Sequence, residues 1–452
     1  MKKIIDPAKI WLNVIPPPSK SIAIRAVAAG FLALLSDKNE DTQIVINNFS
    51  QCDDAKTAME IIASLGFVAS LSESNSLTIA KKLTVTDDTE EDAAADATVT
   101  EDTVAENQNS FDSNLTVTSG ESALCYRMFP FVLSHLGREI TLTPEGSLKK
   151  RNNEQLFNFL KMFGVNEQAT DSGQITIKNK IKSGNYAIDC SHSSQELTGL
   201  LFALPVCAGD STLEVSNLNS LGYIDLTLDI LQNFGIEIKI LDDAENSKKT
   251  FFIKGNQKFK QVNFSVESDW SAAANFLVLG AIAGKVTIAN MNVNSLQPDR
   301  EIFSLLQSLN IECNEISSST VRVNKTDFAG FEFDATHCPD LIPPLVVLAF
   351  NAKSSSKIHG IERLVNKESN RRDILLKVFS LLGGKIKISG NSFEIFPSTL
   401  SGGFADSHDD HRIAMAVAIA AKRGINSTTI TGSECVDKSF PDFWNYSRSR
   451  NG

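Results

Sequence analysis

The sequence predicts an α/β protein built from six copies of one unit, and three observations carry this. First, an apolar helix ending at a small residue or glycine is followed by a short strand of alternating apolar residues. These helices begin near Ala26, Met128, Leu200, Ala274, Pro344 and Met415, and the two periods are those of a buried helix and a half-buried strand. Second, another helix, with apolar residues three and four apart, lies between successive copies. It reads AMEIIASLGFVAS, LFNFLKMFGVNE, LDILQNFGIEIKI, IFSLLQSLNIECN and ILLKVFSLLGGKIKI, each turning at Gly or Asn before a strand. Third, a polar cluster stands just before the first helix of every copy. Each unit therefore reads strand–helix–strand–helix–strand, with one further strand. Such a unit cannot close a core alone, and helices that are apolar nearly all round, such as AMAVAIAA, must be covered on all sides. Six copies could make one ring or two lobes of three, and the repeat pattern favours neither.

The first unit opens at PPPSKSIAIRA. Pro16, Pro17 and Pro18 hold the backbone extended and exclude helix. Ser19, Lys20 and Ser21 follow, then an apolar helical run with Arg25 on its first turns. A helix N-terminus with free N–H groups, hydroxyls and two fixed cations is an anion site. Read alone, the same residues also describe a Ser N-cap on a surface helix. Strands are expected near 76–83 and 115–118. Between them, residues 84–113 hold ten Asp and Glu, no Lys or Arg, and one aromatic residue, Phe111. That composition predicts a flexible acidic surface insertion. With it set aside, the six copies recur roughly every seventy residues.

The later units open in the same way. SGESALCYR, ending at Arg127, precedes the second, and LTPEGSLKKR, ending at Lys149, Lys150 and Arg151, follows its helix. DCSHSSQ, with Ser193, Ser194 and Gln195, opens the third, and SVESDWSAA, with Asp269, the fourth. DATHCPD, ending at Asp340, opens the fifth, and RLVNKESNRRD adds Arg363, Lys367, Glu368, Arg371 and Arg372. DSHDDHR, with His411 and Arg412, opens the sixth, and CVDKSFPDFW carries Lys438.

Composition narrows the function classes. At 452 residues the chain has room for two or three domains. No apolar run reaches the length of a membrane span. MKKIIDPAKIW lacks the apolar stretch and cleavage site of a signal peptide, so a cytoplasmic protein with no membrane attachment is expected. The seven cysteines are odd in number, widely spaced and free of any CxxC pair, and the six histidines show no ligand spacing. Buried free thiols and no metal site are the expectation. The net charge of −11 is nearly all accounted for by the 84–113 tract, so it says little about the substrate.

One polar cluster is an ordinary cap, but six at equivalent positions predict helix N-termini facing a common cleft. Each basic run taken singly is a solvated face. Together they describe a cleft far more positive than the whole chain, suited to a small, multiply anionic molecule. Nucleic acid is not expected, because aromatic and basic residues do not interleave along one face. Asp340 and Glu368 stand among cations that would hold them ionised and able to accept protons. A capping Asp and a salt-bridged Glu would look the same.

PPPSKSIAIRA, SSQELTGLLFALP, SLGYIDLTL, VNKESNRR, DDHRIAMA and DKSFPDFW occur in this order over nearly the whole chain. Together they resemble the landmarks of the enolpyruvyl transferase family, the 5-enolpyruvylshikimate-3-phosphate synthases in particular. The resemblance implies an α/β (α+β) chain in two lobes, each of three βαβαββ units, an inverse α/β barrel. Lobe one would comprise 1–18 and 266–452, and lobe two 19–265 with the insertion at about 84–113. The chain would cross between them near 18–20 and 263–268. The implied reaction moves the enolpyruvyl group of phosphoenolpyruvate to the 5-hydroxyl of shikimate 3-phosphate, releasing phosphate on the route to chorismate and the aromatic amino acids. It needs no cofactor and no metal, and a monomer is expected, whose partners are these two small molecules.

Carried over by resemblance, Lys20, Ser21, Arg25, Ser193, Ser194, Gln195, Ser220, Tyr223, Asp340 and Lys367 would contact shikimate 3-phosphate. Lys20, Arg151, Arg371, Arg412 and Lys438 would contact phosphoenolpyruvate, with Arg127 close by. Asp340 resembles the base for the 5-hydroxyl. Glu368, with Lys20, resembles the group that handles the proton at the methylene carbon. Some positions depart from the family's pattern. Ile24 stands for its usual Asn, Asn370 for an Asp, and Arg363 where some members have Asn. Ala123 stands for Gly, where an added methyl would press on the phosphoenolpyruvate pocket and give tolerance to glyphosate. The rival readings are UDP-N-acetylglucosamine enolpyruvyl transferase, which shares fold and donor, and a catalytically silent paralogue acting as a binding module. The SSQ, SLGYID and DKSFPD segments favour the shikimate acceptor.

Overall fold

The structure, a computed structural model, describes residues 1–82, 115–166, 173–243 and 248–446. The acidic 84–113 tract lies outside the described residues.

Among the described residues, six small sheets correspond to the six units. In the first unit, α1 (Lys20–Ser36), a strand at Gln43–Asn47 and α2 (Asp53–Ser64) lead to an antiparallel pair, Val68–Leu71 and Leu77–Ala80. The second runs through Leu115–Gly120, α3 (Ala123–Leu133), Ile140–Pro144, α4 (Glu154–Met162) and Ile175–Ile177. The third has Asn185–Asp189, α5 (Gln195–Ala203), Ser211–Ser216, α6 (Leu221–Asn233), Ile238–Asp243 and Lys248–Ile253. The fourth has α7 (Trp270–Ala283), Gly284–Ala289, α8 (Glu301–Ser308), Cys313–Ser317 and Thr320–Asn324. The fifth has Glu332–Asp334, α9 (Ile342–Phe350), Ser356–His359, α10 (Arg371–Leu381), Lys385–Ser389 and Ser392–Phe396. The sixth has Gly403–Asp406, α11 (His411–Ala421) and Thr428–Thr431. Within a unit the two strands joined by the first helix are parallel, as Asn185–Asp189 is to Ser211–Ser216. The strands after the second helix pair antiparallel.

Three strands come from elsewhere in the chain. Asn263–Ser265 supplies the parallel partner of Gln43–Asn47. Ile10–Val14 does the same for Gly284–Ala289, and Lys2–Ile5 pairs antiparallel with Thr428–Thr431. The two exchanges meet where the chain passes between halves. Ser19 N donates to the carbonyl of Glu267 (2.8 Å) and Asp269 N to that of Pro17 (2.9 Å), and Pro18 and Ser268 form an antiparallel bridge.

Among the described residues, the buried apolar side chains fall into two clusters, one drawing on residues between Ile22 and Val266, the other on Ile5, Ile10, Val14 and residues from Trp270 to Phe443. At their centres lie the first helices of the units. α3 packs on both α1 and α5, while α7, α9 and α11 touch pairwise. All eleven residues of α11 are buried, and thirteen of the fourteen in α7, as helices without a polar face require. The outer helices are one-sided, and α4 buries only Leu156, Phe159 and Leu160. Gly199 permits the close α3–α5 contact. A Cβ there would stand 2.7 Å from Phe131 and 2.8 Å from the Met128 carbonyl oxygen. All seven cysteines are unpaired, and six are buried.

Candidate active site

The N-termini of the central helices converge between the halves. Ser19 precedes α1, Ser194 precedes α5, and Ser122 and Asp410 cap α3 and α11 by accepting from the backbone N–H of Cys125 and Arg412. A single turn at Pro339–Leu341, which carries Asp340, leads into α9. Residues from these five ends line one cavity of about 560 Å3. The sixth end acts one step back, where Asp269, the cap of α7, accepts from Lys20 N (3.3 Å).

Fourteen of the sixteen site residues expected from the sequence line this cavity: Lys20, Ser21, Arg25, Arg127, Arg151, Ser193, Ser194, Gln195, Ser220, Tyr223, Asp340, Lys367, Glu368 and Arg412. Arg371 and Lys438 do not. Arg371 lies beneath the floor, fully buried and spent on carboxylates. Its Nε and Nη2 donate to Asp410, Nη1 to Asp340 (3.1 Å) and Nη2 to Glu368 (2.6 Å). Lys438 Nζ donates to the carbonyl and carboxylate of Glu121, both at 3.2 Å.

Seven Lys and Arg line the cavity against four Asp and Glu, so an empty cleft carries surplus positive charge. Arg25 shows this most clearly. It is 2 % exposed, donates to Thr227 Oγ1 (2.9 Å) and to the carbonyl of Ser21 (2.8 Å), and has no carboxylate partner among the described residues. Burial pushes it down to about 10, still cationic at neutral pH. A buried, unpaired guanidinium is a recognition group for an anion. Arg127 is held by Gln195 Oε1 (3.1 Å) and Asn153 Oδ1 (3.3 Å), with Glu196 at 3.6 Å. Arg151 donates to Ser147 (3.2 Å) and stands 3.9 Å from Glu368.

The ionisable centre consists of Lys20, Asp340, Lys367 and Glu368. Burial alone would push Lys20 down, but Asp54, at 2.9 Å, and Glu368 outweigh it and hold the ammonium above its ordinary value. Burial would likewise raise Asp340. Arg412 (2.8 Å), Lys367 (3.7 Å) and Arg371 (3.1 Å) reverse that and hold it well below the carboxylate range. Glu368 is depressed in the same way, against burial, chiefly by Arg371 and Arg151. Lys367 is pushed down to about 8 by burial, which Asp340 only partly offsets. Both carboxylates are thus ionised at neutral pH and can accept protons. Such a low proton affinity makes a weak base, but polyanions bound among the same cations would raise it.

Several groups in and around the cleft escaped sequence reasoning. Asp54 looks like any acid in a first helical turn. In the sequence His411 stands only as a neighbour of Arg412. Both its ring nitrogens are buried without a partner, and burial, then Lys20, Arg412 and Arg371, keep it neutral. Asp299 lies in a single turn before α8, is 2 % exposed, and accepts at Oδ2 from Tyr223 (3.2 Å) and from Ser271. Burial and the nearby Asp340 raise it to about 6, against the pull of Arg412. The folded protein therefore holds this proton more tightly than the unfolded chain. Stability is lost as pH rises from about 4 through 6, and the loss is complete above. Asp299→Asn keeps an acceptor for Tyr223 and Ser271. It is expected to gain on the wild type by up to about 3 kcal/mol between pH 4 and 7, read as urea midpoints. Superimposable pH profiles would refute this.

Among the described residues, no group of His, Cys, Asp and Glu could hold a metal ion, and no helix is long and apolar enough to cross a membrane.

Comparison with known proteins adds a family. The family model for EPSP synthase (3-phosphoshikimate 1-carboxyvinyltransferase) matches residues 75–446. The chain is similar to the 3-phosphoshikimate 1-carboxyvinyltransferase of Clostridium kluyveri, 33% identical, covering 99% of this chain and 97% of that protein. It is also similar to that of Clostridium acetobutylicum, 32% identical, covering 97% and 95%. Among solved structures, EPSP synthase from Acinetobacter baumannii aligns with TM-score 0.75 at 21% identity, covering 99% of this chain and 97% of that one. The enolpyruvyl transferase NikO from Streptomyces tendae aligns with TM-score 0.72 at 15% identity, covering 98% and 96%. These two likenesses establish the two-lobed enolpyruvyl-transferase fold.

Proposed function

The chain belongs to the EPSP synthase family, and from that premise we propose how its cleft carries out the reaction. The enzyme is a 3-phosphoshikimate 1-carboxyvinyltransferase. It moves the enolpyruvyl group of phosphoenolpyruvate to the 5-hydroxyl of shikimate 3-phosphate and releases phosphate, on the route to chorismate. The observation that carries the proposal is the gathering of seven cations from both halves around Asp340 and Glu368. Each substrate brings a carboxylate and a phosphate, and the Arg and Lys groups offset their mutual repulsion.

In the proposed sequence, phosphoenolpyruvate is protonated at its methylene carbon by the Lys20–Glu368 pair, which leaves a cationic centre at C2. Lys20 is the acid of that pair; Glu368 accepts the proton that the methyl carbon later returns and passes it to the Lys20 amine, which restores both groups. The 5-hydroxyl, giving its proton to Asp340, attacks C2 and forms the new C–O bond. The methyl carbon then returns a proton to the same pair, the C2–O bond to phosphate breaks, and the proton on Asp340 leaves with the phosphate. The acceptor contacts are Lys20, Ser21, Arg25, Ser193, Ser194, Gln195, Ser220, Tyr223, Asp340 and Lys367. Lys20, Arg151 and Arg412 hold phosphoenolpyruvate, with Arg127 adjacent. Arg371 serves from below by orienting Glu368 and Asp340, and Lys438 serves from the edge beside Glu121. Lobe one comprises 1–18 and 266–452, and lobe two 19–265, a division that the two apolar clusters support except at Val266, which packs with lobe two. A cytoplasmic monomer that binds neither nucleic acid nor membrane completes the proposal.

The test is phosphate release from phosphoenolpyruvate with shikimate 3-phosphate and, separately, with UDP-N-acetylglucosamine. Release with the first alone is expected, and release with the second or with neither would overturn it. Ala123, the first residue of α3, lines the cleft. Its methyl group is expected to make the enzyme tolerant of glyphosate, and Ala123→Gly to become about tenfold or more sensitive, the usual scale for one methyl in a tight pocket. Low-micromolar inhibition of the wild type at ordinary substrate affinity would reject this.

A further inference from the structure

Arg363 crosses the cleft. It sits on a single turn, Ile361–Leu364, in the half built on α7 to α11. All three of its hydrogen-bond acceptors belong to the other half. Its Nη1 donates to the carbonyls of Ser191 (3.1 Å) and His192 (3.0 Å), and its Nη2 to Ser220 Oγ (3.0 Å). These acceptors lie on two separate segments, the loop entering α5 and the start of α6. None is a carboxylate, so the charge of Arg363 is not cancelled by the groups that hold it, and its Nε is buried without a hydrogen-bond partner. Burial, then the nearby Arg127, push its pKa down. A cation so placed, held by neutral acceptors alone, costs free energy through its lost hydration.

Ser220 sharpens the point. It has φ of 57°, in the left-handed region that a serine rarely adopts. The guanidinium fixes its hydroxyl from across the gap. Three residues beyond Arg363, Asn366 repeats the cross-tie. Its Nδ2 donates to the carbonyl of Asn152 (3.1 Å), and Asn152 N donates to its Oδ1 (3.2 Å). The segment leading into Lys367 and Glu368 is therefore stitched to the opposite half at two points, Arg363 and Asn366.

We propose that Arg363 is a positioning residue for the acceptor. It holds Ser220 and the 191–194 loop in the geometry that meets shikimate 3-phosphate, and it ties both to the half that carries Asp340 and Lys367. This rests on the acceptor contacts proposed above.

The experiment is steady-state kinetics on the full chain with Arg363→Met, Arg363→Lys and Arg363→Ala, each alone and Arg363→Met also in an Ser220→Ala background. Arg363→Met is expected to raise KM for shikimate 3-phosphate about tenfold or more, the usual cost of losing charge-assisted hydrogen bonds. KM for phosphoenolpyruvate should stay within about twofold, and kcat should fall less than KM rises. Arg363→Lys should recover only part, because an ammonium lacks the fork. Guanidinium ion, but not an ammonium salt of equal ionic strength, should restore Arg363→Ala. In the Ser220→Ala background the effect of Arg363→Met should shrink, because the two act together. An unmoved KM for shikimate 3-phosphate, full additivity with Ser220→Ala, or a parallel rise in both KM values with a lower melting temperature would each overturn the proposal. A wild type inactive with shikimate 3-phosphate would instead sink the reading beneath it.

Discussion

Asp340→Asn is expected to lower kcat by about 100- to 10,000-fold, the range for loss of a general base, while KM for both substrates stays level or falls. The carboxylate takes Arg412, Arg371 and Lys367 at once. Removing its charge leaves those cations unbalanced, and unbalanced cations hold anionic substrates more firmly. A residue that merely bound the acceptor would show the opposite pattern, a higher KM at nearly normal turnover. Single-turnover measurement of phosphate release separates the chemical step from product release. The proposal fails if kcat stays within about tenfold of the wild type in a variant with native circular dichroism.

Arg371→Leu is expected to cost about 3–5 kcal/mol of folding free energy, the usual loss when one partner of a buried ion pair is removed, and to abolish activity. The guanidinium has no exposed surface, and Asp410 has none either. Without Arg371, Asp410 is a buried carboxylate with only the Ser369 hydroxyl and the Arg412 N–H to satisfy it. Because Asp410 also caps α11, its displacement carries Arg412 away from Asp340. Arg371→Lys should recover less than half of the loss, since a single ammonium cannot reach three carboxylates. Urea unfolding that places Arg371→Leu within about 1 kcal/mol of the wild type would contradict this.

Sequence reached the six units because hydrophobic period is local. Helices such as α7 and α11 announce burial by having no polar face, and the polar residues ahead of them mark where each N-terminus points. It did not reach the exchanged strands. Nothing in IWLNV says that its partner is GKVTIA, some 270 residues on. Within the site, sequence named the basic residues but could not say which charges the protein consumes. Arg371 and Arg412 stand in similar company in the sequence. Only the fold shows one buried on three carboxylates and the other reaching the cavity. Asp54 and Asp299 were illegible for a related reason. An acid near the start of a helix is favoured by the helix dipole alone, and only three-dimensional neighbours distinguish a lysine's partner or a tyrosine's anchor from a cap. In the sequence Arg363 is one cation among several, because its acceptors are backbone carbonyls and a hydroxyl, which no residue pattern records.

The strand exchange bears on how the polypeptide is made. Ile10–Val14 leaves the ribosome before any of the opposite half, yet its hydrogen-bonding neighbour, Gly284–Ala289, is synthesised only after all of that half. At ordinary elongation speed, about 5–20 residues per second, Ile10 and Val14 wait on the order of ten seconds or more for their berth. The half beginning at residue 19 can settle during translation, while the Ile10–Val14 ribbon trails uncommitted. Nascent chains should therefore be shielded at this ribbon until well after residue 289 has cleared the exit tunnel.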